Sequence, residues 1–380
     1  MTATFHRLRA SRAPTVLILA LLVSGCQAEA PPAGQRLQIL AEGLEHPWAL
    51  AFLPDGDTLV TERGGRLLRI DPGDGRRRAI DGVPEVAARG QGGLLDIALH
   101  PEFVRTGWVY LSYATATDSG STTAVGRGRL EGTRLAEFEE LFRARPATDA
   151  DQHFGSRLLF DRTGYLWVTI GDRRRRDWAQ RLDNHAGKVL RLTADGGIPP
   201  DNPFVGQTDA LPEIYSYGHR NPQGLALHPE TGRVWLHEHG PRGGDEINLI
   251  AAGANYGWPL VTFGREYHGP TIGVEPPEPG FASPLHHWTP SIAPSGMAFY
   301  AGEAFPAWRG DLFVGALVHR HLQRLRFRDG QVVAQEKLLT ERGWRIRDVR
   351  AGPDGYLYVL TDAGNGVLAR LEPGADQSRP

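Results

Sequence analysis

An apolar stretch that runs into a turn and is followed at once by a second, aromatic-rich stretch recurs six times along this chain. Repetition of this kind restricts the fold more than any other feature. The units read ALAFLPDGDTLVTE, LLDIALHPEFVRTGWVYLSY, RLLFDRTGYLWVTI, GLALHPETGRVWLHE, GMAFYAGEAFPAWRGDLFVGAL and RDVRAGPDGYLYVLTD. Each has the signature of a β-hairpin, with short runs of Val, Leu, Tyr, Trp and Phe on either side of Pro, Asp and Gly. Their first strands begin near residues 49, 94, 157, 224, 296 and 347, spaced widely enough for two further strands per unit. Beyond the first 25 residues no long stretch carries a 3.6-residue apolar period, so helices are confined to short pieces in loops. The expected fold is all-β: a six-bladed β-propeller of four-stranded antiparallel sheets over residues 37–373, followed by a short tail at 374–380. A seventh or eighth blade would need degenerate units, for example within residues 255–290. Ring closure assigns RLQILAE, residues 36–42, as the outer strand of the last blade, paired near residues 366–371.

Composition fits this reading. Gly (47) and Pro (28) supply about a fifth of the 380 residues, as a turn-rich fold requires, and 41% apolar residues suffice for a sizeable core. Against 44 acids stand 42 basic residues, of which only Lys188 and Lys337 are lysines. The resulting net charge of −2 offers no footprint for nucleic acid, and the arginine bias reads as codon usage in a GC-rich genome. The single cysteine, Cys26, excludes an intramolecular disulfide framework and any cysteine-ligated zinc or iron–sulfur site. It follows Arg7, Arg9 and Arg12, the apolar run TVLILALLV and then Ser24-Gly25, the charge–apolar–small order of a secretory signal too short to span a bilayer stably. VSGC resembles a bacterial lipobox. Residues 1–25 are therefore expected to be a lipoprotein signal peptide and residues 26–36 a flexible tether, with a lipid anchor on Cys26 and a periplasmic location. An ordinary secretory signal with an incidental cysteine is the alternative, and it also places the protein outside the cytoplasm.

The repeat also aligns polar residues. Just upstream of successive first strands stand Gln91, His153, Arg220 with Asn221, Ser291, and Arg345 with Arg347. Equivalent positions in a propeller share one rim, so these residues converge on one central pocket. Buried arginines are rare unless paired, and this set reads as a site for a polyanionic small molecule beside a proton-transfer group. Asp172 ends the second strand of the unit that His153 begins, so it can hold one imidazole nitrogen and raise the basicity of the other; capping its own turn is the alternative. His46, His100, His185, His228, His268, His286 and His287 lack such alignment and read as turn or surface residues. The run RRRR at 173–176 reads as a solvated loop. In HEHGPRGGDEINLIAAGANYGWP, residues 237–259, Gly240, Pro241, Gly243 and Gly244 expose carbonyls beside Asp245 and Glu246, the all-oxygen chemistry that calcium favours. His237 and His239 share a strand face, but no third zinc ligand is evident.

Taken together, DQHFGSRL, TIGD, SYGHRNPQGLALHP, EHGPRGGDEIN, NYGWP, PSIAPSGMAFY and RIRDVRAGPDGYLYVLTD closely resemble the soluble quinoprotein aldose sugar dehydrogenases, relatives of soluble glucose dehydrogenase, over about residues 37–372. The resemblance implies a six-bladed propeller that binds pyrroloquinoline quinone (PQQ) and calcium and oxidises the anomeric carbon of sugars to lactones. It implies that His153 is the catalytic base, with Asp172 orienting it. Gln91, Arg220, Asn221, Arg345, Arg347 and Tyr267 match residues on the quinone. Gly240 and Pro241 resemble the carbonyl pair that holds the cofactor's calcium, and Glu246 and Tyr256, with Glu266 as a further candidate, match an additional calcium site. Val318 stands where several relatives have a lysine, which implies weaker PQQ binding unless His319 or Arg320 turns inward. Thr289 replaces an aromatic residue near the sugar and implies a more open pocket.

The expected reaction is therefore hydride transfer from sugar to PQQ, with Arg220 stabilising charge on the quinone oxygen and an unidentified electron acceptor downstream. A calcium-dependent propeller hydrolase of the lactonase type and a non-catalytic sugar-binding propeller are the alternatives. Neither needs the two arginines of RIRD aimed at a dicarboxylate.

Overall fold

The computed structural model describes residues 34–374 and the first two residues, so the segment read as a signal peptide, Cys26 and the tail from residue 375 lie outside the described residues. Six four-stranded antiparallel sheets are arranged in sequence order. The strands Pro47–Phe52, Leu94–Leu99, Leu158–Phe160, Pro222–Leu227, Pro294–Phe299 and Ile346–Ala351 are the first of each blade. They start within about two residues of the positions the repeat indicates. The helical pieces are short, the α-helix being Phe103–Thr106.

The ring closes as expected. Gln35–Leu44 pairs antiparallel with Gly366–Pro373, Leu37 opposite Leu371 and Ile39 opposite Ala369, so the first strand in sequence becomes the outer strand of the last blade. This strand begins at Gln35, inside the segment read as a tether. Residues 255–290 form no extra blade; they are a long excursion between Asp245–Leu249 and the outer strand His286–Trp288 of the fourth blade.

The apolar face of each strand is buried against the neighbouring blade. Trp48, Leu59 and Leu67 of blade one pack with Ile97, Val109 and Leu111 of blade two, and Phe313 and Leu322 of blade five pack with Val349 and Val359 of blade six. Near the axis the first strands are joined by charge. Arg157 lies 3.3 Å from Asp96 and 3.0 Å from Asp348, and Arg350 lies 2.7 and 2.9 Å from the same two carboxylates. Leu50 N–H donates to Asp348 and Leu158 N–H to Asp96. Buried charge is tolerated here because every member is paired and hydrogen-bonded. Arg157 also stacks over Trp48, 4.2 Å from its ring centre, and Trp48 forms part of the wall of the central cavity.

Candidate active site

His153 sits in the turn that leads into Leu158–Phe160, with a φ of 57°. That left-handed conformation is uncommon for a residue with a Cβ and costs of the order of 1 kcal/mol. Neighbouring blades hold it: His153 N–H donates to Gln91 Oε1 at 2.8 Å and Gly155 N–H to Asn221 Oδ1 at 3.2 Å. The His153 carbonyl lies only 2.1 Å from where a Cβ on Gly171 would stand, so the glycine of TIGD is required by this close approach.

The buried His153 places Nδ1 2.6 Å from Asp172 Oδ1. Asp172 also accepts from Trp258 Nε1 at 2.8 Å and from Arg174 N–H at 2.9 Å. With Asp172 ionised, Nδ1 is the donor and Nε2 is left as the basic nitrogen. Burial pushes the imidazole below its usual pKa; Asp172 opposes the shift, while Arg220 and Arg174 reinforce it. Burial by itself would raise the Asp172 carboxyl, yet the hydrogen bond and charge of His153, the Arg220 charge and Arg174 N–H hold it below the usual carboxylate range. The pair is thus a neutral imidazole held by an anion, the state a proton acceptor requires.

A single pocket for all the rim residues is not what forms. His153, Asp172, Arg220, Pro241 and Tyr267 line a cavity of about 120 Å³, whereas Gln91, Asn221, Arg345 and Arg347 line a central cavity of about 490 Å³. Arg220 stands between them. Its Nη1 donates to the carbonyls of His239 at 3.1 Å and Gly240 at 2.9 Å, and its guanidinium lies 5.4 Å from the Trp258 ring centre. His239 lines the central cavity and its carbonyl receives Arg220, which lines the smaller one, so the two cavities adjoin. Tyr267 is about half exposed on the smaller one.

Arg345 and Arg347 do not point unpartnered at the cavity. Asp362 Oδ2 accepts from Arg345 Nη2 at 2.8 Å and Arg347 Nη2 at 3.2 Å, and His46 Nδ1 lies 3.4 Å from Oδ1. Burial would raise this carboxyl, but the two arginines and His46 hold it far below the usual range. The sequence reading missed Asp362, Trp258 and His46. Asp362 was findable: it directly follows the second strand of its blade, Leu357–Thr361, much as Asp172 follows Leu166–Ile170. Trp258 arrives from the excursion and has no repeat position to reveal it.

Several other readings are corrected. The run at 173–176 is not simply a solvated loop, because Arg173 is buried over the Phe154 ring, 3.5 Å from its centre, and Arg174 and Arg176 line the His153 cavity. His185 is buried against Glu213 at 2.6 Å, and His46 lines the central cavity. Ser291 does not line either cavity; its hydroxyl holds Asp245 at 2.7 Å, and Asp245 in turn accepts Gly240 N–H at 2.9 Å. Val318 does line the central cavity, while the exposed His319 and Arg320 do not turn into it.

The metal residues divide in the same way. A Cβ on Gly240 would lie 2.1 Å from the Gly243 carbonyl, so only glycine fits this fold of the loop, and its own carbonyl faces Arg220. Glu246 is buried, and burial together with the nearby Glu238 carboxylate raises its pKa well above the ordinary value. Asn248 Nδ2 donates to both carboxylates, which leaves buried Asn248 Oδ1 without a partner. Two crowded carboxylates and an orphaned amide oxygen fit an oxygen-liganded cation. The Tyr256 phenol does not: it donates to the Leu249 carbonyl at 2.7 Å and accepts Ala251 N–H at 3.0 Å, so only the main chain of Tyr256 is free to act. Glu266 pairs with Arg176 at 2.7 Å, on the rim of the His153 cavity, rather than joining Glu246. Among the described residues no three His, Cys, Asp or Glu side chains converge, so a calcium ion here would rely on carbonyl and amide oxygens, and His237 and His239 lack a third zinc ligand.

The fold and the site together define a six-bladed β-propeller with an aspartate-held imidazole beside an arginine-lined cavity. Residues 44–370 match the Glucose / Sorbosone dehydrogenase family, and the chain belongs to it. It is 47% identical over 350 residues to aldose sugar dehydrogenase YliI of Escherichia coli K12, covering 90% of this chain and 94% of the relative. A crystal structure of a glucose dehydrogenase superposes with a TM-score of 0.87 at 51% identity, covering 90% of this chain and all of that one. The PQQ-bound form of aldose sugar dehydrogenase from Streptomyces coelicolor superposes with a TM-score of 0.73 at 31% identity, covering 90% of this chain and 99% of that one.

Proposed function

We propose that the protein oxidises the anomeric carbon of aldose sugars to the lactone, with PQQ and calcium as cofactors. Support comes chiefly from one observation: the buried His153–Asp172–Trp258 chain opens its Nε2 side to a small cavity that adjoins a larger one bearing Arg345 and Arg347. The reaction removes the proton of the anomeric hydroxyl and a hydride from C1, leaving C1 doubly bonded to oxygen. His153 Nε2 takes the proton, and Asp172 stabilises the imidazolium that results. PQQ, when bound, supplies the two-electron acceptor for the hydride. Arg345 and Arg347 suit its carboxylates, Gln91 and Asn221 its polar edge, and Arg220 a developing oxyanion. The carbonyls of Gly240 and Pro241 are suited to a calcium ion at the cofactor, and Glu246, Asn248 Oδ1 and the main chain of Tyr256 to a second. Tyr267, which lines the His153 cavity with Arg220, is suited to the quinone as well.

Purified apoprotein should gain sugar-dependent dye reduction only when PQQ and calcium are added together. Absence of activity with both present removes this reading. From VSGC we further infer export and lipidation at Cys26, which retention in the membrane fraction, lost in Cys26→Ser, would support.

A further inference from the structure

The His153 cavity carries more positive charge than proton abstraction from a neutral sugar needs. Arg174 and Arg176 line it, both exposed, above the buried imidazole. Arg242, also exposed, is hydrogen-bonded at 3.3 Å to the carbonyl of Tyr267, which lines the cavity. Two carboxylates face these cations. Asp172 is already committed to His153 and Trp258, and Glu266 is paired with Arg176 at 2.7 Å. Among the described residues Arg174 has no carboxylate partner; its Nη1 bonds the neutral Gln152 Oε1 at 3.2 Å. Arg174 lines the same cavity as His153 and Glu266, and its backbone N–H is fixed on Asp172 at 2.9 Å. An unpaired guanidinium in a confined cavity is a receptor for a carboxylate or phosphate, with two parallel donors in fixed geometry.

We propose that this site prefers aldoses carrying an anionic group at the end of the ring remote from the anomeric carbon, with Arg174 and Arg176 receiving that group while His153 meets the anomeric hydroxyl. The proposal rests on the sugar-oxidising reading above and names its substrate class. The base is buried and the two arginines are exposed in the lining of one cavity, which suits a uronic acid or a sugar 6-phosphate entering with its anomeric end inward. Glu266 acts as an internal competitor for Arg176.

The test uses the holoprotein reconstituted with PQQ and calcium. kcat/KM is measured for glucose, glucuronate and glucose 6-phosphate at low and high ionic strength, in wild type, in Arg174→Gln with Arg176→Gln, and in Glu266→Gln. A charge-assisted contact predicts an anionic-to-neutral ratio of roughly 10 or more for wild type, carried by KM. The ratio should shrink with salt, fall to about one in the double variant, and rise in Glu266→Gln. A larger ratio for glucuronate than for glucose 6-phosphate identifies carboxylate as the natural group, and the reverse identifies phosphate. PQQ affinity is followed in parallel by fluorescence titration. A wild-type ratio at or below one, a ratio that survives loss of both arginines, or PQQ affinity that falls with them would overturn the proposal, while glucose oxidation would still stand for the broader function. If no aldose is oxidised, calorimetry of the apoprotein decides. Tighter binding of glucuronate than glucose, lost in the double variant, supports the anionic site, and equal binding rejects it.

Discussion

Asp172→Asn tests the core of the proton-transfer argument. Asp172 receives three donors, from His153 Nδ1 at 2.6 Å, Trp258 Nε1 at 2.8 Å and Arg174 N–H at 2.9 Å. The amide retains one acceptor oxygen and brings two donors of its own, so at least one of those bonds is lost and the anion beside the nascent imidazolium disappears. A hydrogen bond to a charged partner contributes about 1.5–3 kcal/mol, which corresponds to a fall in kcat of roughly 10- to 150-fold. Trp258→Phe removes one donor to the ionised Asp172 but leaves the anion and its bond to His153 in place, so it should lower kcat less than Asp172→Asn does. His153→Ala removes the base itself and should cost roughly 10²- to 10⁴-fold. The pH profile supplies a second readout. His153 must be neutral to accept a proton, and its pKa is lowered by burial against an opposing influence of Asp172. The acid limb of kcat/KM should therefore lie below the ordinary histidine value in wild type and move further down in Asp172→Asn. Each variant is titrated with PQQ at saturating calcium, and dye-coupled turnover is expressed per bound cofactor. The order Trp258→Phe, Asp172→Asn, His153→Ala should hold for loss of kcat while PQQ affinity changes little. Wild-type turnover and an unmoved acid limb in Asp172→Asn would refute the orienting role, and near-normal turnover in His153→Ala would remove His153 from the chemistry.

Three further outcomes are expected. Asp362→Ala leaves Arg345 and Arg347 without their carboxylate and should destabilise the fold by about 2–3 kcal/mol, less than for a fully enclosed pair because the Asp362 side chain keeps 18% exposure; PQQ should then raise Tm more in this variant than in wild type, and an equal rise would show that its carboxylates do not reach the arginines. Val318→Lys adds a cation to the wall of the central cavity and should lower the Kd for PQQ by up to about 10-fold, diminishing with salt; an unchanged Kd in fluorescence titration contradicts the placement of the cofactor there. Calcium should raise the Tm of the apoprotein by mass action, and Glu246→Gln should abolish part of that rise without lowering Tm in chelator, since it relieves the buried repulsion with Glu238; a full calcium response in the variant would remove Glu246 from the metal site.

The blade count, the start of each first strand to within about two residues and the closure of the ring by a strand read at residues 36–42 and found at Gln35–Leu44 were legible in the sequence, because strand periodicity and turn residues act over a few neighbours and the repeat multiplies the signal sixfold. The same alignment found His153 and Asp172, which lie at equivalent ends of adjacent strands in one blade. Contacts that depend on where a long side chain finally turns were not legible. Arg220 folds onto the carbonyls of His239 and Gly240 and so divides one expected pocket into two, and Arg345 and Arg347 bend to Asp362, 15 to 17 residues further along the chain. RRRR reads in sequence as four equivalent cations. Burial over Phe154 makes Arg173 part of the core, while Arg174 and Arg176 line the catalytic cavity. Tertiary structure decided these points because an arginine's cost of burial is offset only by the partners that the folded rim brings within reach: His239, Gly240 and Asp362 come from the end of the next strand in the same blade, and Trp258 and Glu266 from an excursion, residues 250–285, that follows no repeat.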